Sequence, residues 1–81
     1  MFNEGINFKE QYPNVKIKER FDIQDQFTTR LEVFVPDGVV IADEQKFSSD
    51  ACFHYSYFGG RFVSKVKVEG GTLYQVDAWK D

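Results

Sequence analysis

Alternation of apolar and polar residues with a period of two runs through most of this chain. It constrains the fold more than any other feature, because successive side chains of a strand point to opposite faces of a sheet. Val15, Ile17, Phe21 and Ile23 alternate with Lys16, Lys18, Arg20 and Asp22. A second run sets Phe27, Leu31, Val33 and Val35 against Thr28, Arg30 and Glu32. The polar Gln24-Asp25-Gln26 between them reads as a turn. Glu19 falls in the apolar register of the first run, where a bulge, a barrel end or a wet interface accommodates it. Pro36-Asp37-Gly38 ends the second run. There proline presets the first turn position and glycine accepts the left-handed one of a bulged hairpin. Val39 to Ala42 then reads as a short returning strand, and residues 43–50 as a loop or one helical turn.

The last third carries two further turn signals. Gly59-Gly60 reads as a two-residue hairpin turn pairing Tyr57 with Phe62, Tyr55 with Ser64 and Phe53 with Val66. Glu69-Gly70-Gly71 reads as a three-residue loop with Gly71 left-handed, which pairs Val66 with Tyr74 and Ser64 with Val76. Both turns place Phe53, Tyr55, Tyr57, Phe62, Val66, Val68, Tyr74, Val76 and Ala78 on one face. The expected fold is therefore all-β: six antiparallel strands in meander order at 15–23, 27–35, 39–43, 51–58, 61–69 and 72–80. Six strands with one apolar face curl into a barrel, split into a sandwich, or take cover from a partner chain. Residues 1–14 form an irregular segment before a single antiparallel β domain at 15–81. In that segment Asn3 caps a short helix over Ile6 to Tyr12 that Gly5 weakens and Pro13 ends, or an edge strand takes its place.

Eighty-one residues make one domain, which excludes an enzyme with its cleft between two lobes. A net charge of −3 disfavours general binding to phosphate backbones or anionic membranes. Cys52 is the single cysteine, so no internal disulfide forms. Charged residues interrupt the first twenty positions at Glu4, Lys9, Glu10, Lys16 and Lys18, against a secretory signal. No apolar run approaches the roughly 20 residues that span a bilayer. The expected address is the reducing cytoplasm.

Catalytic and metal constellations fail on geometry. Ser56, His54 and Asp77 are the residue types of a hydrolytic triad, but the expected register holds Asp77 two strands from Ser56 and no nucleophile elbow surrounds the serine. Cys52 and His54 share one side of a strand and offer two of the four ligands that structural zinc requires. Neither Gly-Gly pair precedes a helical pattern, so neither cradles a phosphate. No catalytic residue, metal or cofactor is expected.

One surface remains. The expected strands are locally basic and the loops acidic, and Phe58, Trp79 and His54 fall near Arg61, Lys65 and Lys67. Phe34, Phe58 and Trp79 fall on outward positions, and Phe2, Phe8 and Phe47 in irregular segments. Aromatics beyond the needs of the core are enriched at protein interfaces. The leading reading is a non-enzymatic interaction module that binds protein or itself through a sheet face or edge. A single-stranded nucleic-acid platform, with bases stacked on the aromatics, is the second. A small-ligand barrel is the third. For self-association, the free edge of strand 72–80 pairs with its copy, with Trp79 near the two-fold axis and Lys80 facing Asp77.

Overall fold

The first hairpin forms as its alternation requires. A computed structural model of the chain describes residues 4–80, with side chains from residue 8 onward. Strands β1 (Lys16–Gln24) and β2 (Thr28–Pro36) pair antiparallel, with Ile17 opposite Val33 and Glu19 opposite Leu31. Asp25 closes the turn. Its carboxylate accepts the N–H groups of Phe27 and Thr28 at 2.8 Å, and these bonds hold it below the usual carboxylate range. Along β2, Thr29, Leu31, Val33 and Val35 are buried while the residues between them are half-buried. Between Arg20 and Gln24 the register shifts, and Phe21, Asp22 and Ile23 leave the ladder.

The chain departs from the expected meander after Pro36. Neither 39–43 nor 51–58 is a strand; helix α2 (Glu44–His54) occupies this stretch instead. Asp43 caps it with extended φ and ψ, and its carboxylate accepts the N–H of Lys46 at 3.0 Å. Phe47, Ser48, Ala51 and Cys52 are buried at helical spacing against the sheet, and Asp50, paired with Lys46, is buried beside them; the first four form the face toward the core. Three of these four are small, so the helix lies close on the sheet. Phe53, expected in the core, is 47% exposed. The helix stops in a Schellman pattern: Tyr57 N–H donates to the Cys52 carbonyl at 2.9 Å and Ser56 N–H to that of Phe53 at 3.0 Å. Ser56 takes the left-handed position with φ 80°.

Strands β3 (Gly60–Val68) and β4 (Gly71–Trp79) form the second hairpin, with a register one residue from the expected one. Its turn has two residues, Glu69 and Gly70, and the left-handed φ of +83° belongs to Gly70 rather than Gly71. Gly71 is needed for another reason: a Cβ there would lie 2.2 Å from the Val35 carbonyl oxygen. Val66 consequently faces Leu73, and Lys65 faces Tyr74. A one-residue slip exchanges the faces. Val66 and Val68 therefore leave the core face, where they were expected. An extra β3 residue between Phe62 and Ser64 restores Phe62 opposite Val76, so Phe62, Tyr74, Val76 and Ala78 keep the core face.

The sheet has four strands in the order β1-β2-β4-β3, not six, and it is not closed into a barrel. Its apolar face is covered from within the chain. Helix α1 (Glu4–Gln11) packs on α2, and α2 packs on β3 and β4. The amino-terminal segment is thus the short helix of the two alternatives; its expected cap, Asn3, and Phe2 lie outside the described residues. Phe8 and Phe47, expected in irregular segments, are helical core residues. Phe47 sits at the centre, 5.0 Å from the Tyr12 ring, 5.3 Å from Tyr74 and 5.6 Å from Phe8 between ring centroids. The final strand is internal, between β2 and β3, so the edge expected of 72–80 does not exist.

Candidate interaction surface

The topology gathers five chain segments at one end of the sheet. There β1 and β4 finish, β2 and β3 begin, and α2 stops. Phe21, Ile23, Phe27, Phe53, Phe58 and Trp79 are exposed at this end, the first of them 71%. Only two other large hydrophobic side chains among the described residues, Val40 and Val66, are exposed. Each member has a local cause. The β1 irregularity carries Phe21 and Ile23 off the ladder, and Phe27 follows Asp25 in the turn. Phe58 and Trp79 are tied by backbone bonds, Phe58 N–H to the Trp79 carbonyl at 3.1 Å and Trp79 N–H to that of Gly59 at 2.8 Å. Phe53 and Trp79 flank Gly59, where a Cβ would come within 3.5 Å of both rings. At roughly 200 Å² per aromatic side chain, the five aromatics expose on the order of 600 Å².

The helix-free face beside this end is polar across its middle. Arg20 pairs with Asp22 at 2.6 Å and Glu32 at 3.0 Å, and Arg30 with Asp77 at 2.7 Å. Arg61 reaches Asp77 at 3.6 Å. Lys80 ties the rim of the end by donating to the Gln24 side chain at 2.8 Å and the Asp25 carbonyl at 2.7 Å. Half-exposed ion pairs of this sort are the ordinary covering of a one-layer sheet.

The six residues expected to form one surface divide. Phe58, Trp79 and Arg61 meet at the aromatic end and its adjoining face. Lys65 and Lys67 lie on the opposite face, where Lys65 pairs with Glu44 and sits 5.9 Å from the Tyr74 ring centroid, and Lys67 pairs with Asp37. His54 stacks on Phe8 at 5.2 Å between centroids, among the helices. The basic residues expected to share a surface thus lie on two faces, Arg61 on one and Lys65 and Lys67 on the other. The patch residues that sequence reasoning missed, Phe21, Ile23, Phe27 and Phe53, were assigned to a core face that the β1 irregularity, the turn and helix α2 do not give them.

The chemical candidates also separate. Ser56 and His54 end α2 on the helix side, while Asp77 points from β4 onto the helix-free face toward Arg30. Cys52 is fully buried beneath Gly60, and burial, with the nearby Asp77 charge, pushes its thiol up to about 12. It is a neutral packing group, not a nucleophile. Among the described residues no group of three or more His, Cys, Asp or Glu converges as metal ligands. Glu19 is half-buried on the helix side, accepting the Tyr57 hydroxyl at 2.9 Å and the Thr29 hydroxyl at 3.0 Å. Burial first, then Glu19, raises the Tyr57 pKa. This cluster ties the α2–β3 connection to β1. No helix among the described residues is long and apolar enough to cross a membrane.

Comparison with family models, curated proteins and solved structures finds no match to this chain.

Proposed function

We propose that this protein is a non-enzymatic interaction module that self-associates through its aromatic end. The observation that carries the reading is the concentration of Phe21, Ile23, Phe27, Phe53, Phe58 and Trp79 at one end, six of the eight exposed large hydrophobic side chains among the described residues. On the order of 600 Å² of aromatic surface, with its polar rim, approaches the roughly 800 Å² that each partner buries in a standard interface. The rim suits a second copy. Asp22 and Asp25 lie at the β1–β2 side and Arg61 at the β3 side, so a two-fold axis through the patch and normal to the sheet sets opposite charges against each other. This geometry replaces the edge pairing of residues 72–80 expected from sequence.

Sedimentation equilibrium across low to high micromolar protein tests it. A dimer is expected for the wild type, and a monomer with unchanged circular dichroism for Phe27→Asp and Phe58→Asp. A wild-type monomer at hundreds of micromolar overturns the reading.

A further inference from the structure

The two edges of the sheet are finished differently. At β3 the side chain of Gln45 substitutes for a neighbouring strand. Its Nε2 donates to the Gly60 carbonyl at 3.0 Å, and its Oε1 accepts the Phe62 N–H at 2.9 Å. At β1, the opposite edge, no hydrogen bond among the described residues reaches the outer side of residues 16–20. Every second residue there presents an N–H and a C=O away from β2, the template that an added strand requires.

Side chains on the two faces of β1 say what that strand must carry. Lys16 and Lys18 stand exposed on the helix-free face, and neither forms an ion pair among the described residues. By contrast Arg20, Arg30, Arg61, Lys65 and Lys67 each have a carboxylate partner. On the helix side the same edge opens onto a groove of about 190 Å³, lined by Ile17 of β1 and Val15 just before it, with Phe8, Tyr12, His54 and Tyr55 and with Lys9 at its wall. The helices leave this gap because α2 packs on β3 and β4, at the far side of the sheet, and α1 packs on α2.

We infer that β1 accepts an extended segment of another protein in which carboxylate and apolar residues alternate. The carboxylates face Lys16 and Lys18, the apolar side chains enter the groove, and the backbone completes a fifth strand. A second copy of β1 is the wrong occupant, because antiparallel self-pairing sets lysines against lysines across the new ladder. The inference concerns a different surface from the aromatic end and does not rest on self-association.

A fluorescein-labelled octapeptide alternating Glu and Val is the probe, read by fluorescence anisotropy, with an isomer of blocked Glu and Val as control. Expected are saturable binding that weakens as salt rises, at least tenfold weaker binding of the blocked isomer, and at least tenfold weaker binding to the Lys16→Glu/Lys18→Glu variant. That variant should instead take up an octapeptide alternating Lys and Val. Amide shifts on titration should concentrate at residues 15–20 and the groove. No binding of the alternating peptide at millimolar protein, equal binding of the two isomers, or binding unaffected by the double charge reversal overturns the inference.

Discussion

Ser56 stands where a helix end ordinarily has glycine. A left-handed backbone costs an L-residue about 1 kcal/mol or more, and the two Schellman bonds at Tyr57 and Ser56 hold it there. Ser56→Gly should therefore stabilise the protein by roughly 0.5–1 kcal/mol, read as a higher midpoint in urea with unchanged slope. The same residue explains why the helix was not legible: with serine at its stop, the first glycine signal is Gly59-Gly60, which reads as a hairpin turn. Cys52 gives a second test. Its folded thiol titrates near 12 against 9.0 when unfolded, so the folded state keeps a proton that the unfolded chain releases. Its contribution to stability is complete below pH 9 and is lost as pH rises from there toward 12. Denaturation of wild type and Cys52→Ala across that range should show a shallower alkaline decline in the variant. Parallel declines would mean that Cys52 does not set the slope.

Among the elements, β1, β2 and β4 were legible because one face of each run is apolar and each is bounded by turn chemistry. Helix α2 was not. Residues 51–58 alternate by accident, with Phe53, Tyr55 and Tyr57 against Cys52, His54 and Ser56, while the helical signal rests on small residues whose burial carries little hydropathy. Asp43 with Glu44 in the first turn was the available clue, an acidic start to a helix just before Phe47. The cap has measurable weight. Asp43→Ala should cost about 1 kcal/mol, whereas Asp43→Asn, which keeps the acceptor, should cost less than half of that. Thermal unfolding of the two variants decides between capping and a mere charge effect. In β3 the extra residue between Phe62 and Ser64 was invisible, because Val63 satisfies either register. It put Lys65 and Lys67, two of the six residues of the expected site, on the opposite face from Arg61.

At the scale of the whole molecule, α2 decides both the core and the surface. By carrying the chain from the end of β2 to the start of β3 across one face, it leaves a place into which β4 inserts, and the fold becomes one open sheet under a layer of helices rather than a closed barrel. The aromatics then separate into two populations that composition cannot distinguish. Phe8, Tyr12, Phe47 and Tyr74 pack ring on ring between helices and sheet. Phe21, Phe27, Phe58 and Trp79 are left at the strand ends. A chain of 81 residues commands roughly 4–12 kcal/mol of net stability. Phe47→Ala, which empties the contact between both helices and β4, should cost roughly 3–5 kcal/mol and leave the protein partly unfolded near physiological temperature. Phe58→Ala removes a ring that is 65% exposed and should change monomer stability by under about 0.5 kcal/mol while weakening self-association. Stability measured at protein concentrations below dissociation separates the two effects. Similar losses at both positions there would place Phe58 in the core and dissolve the distinction between packing and docking aromatics on which the aromatic end depends.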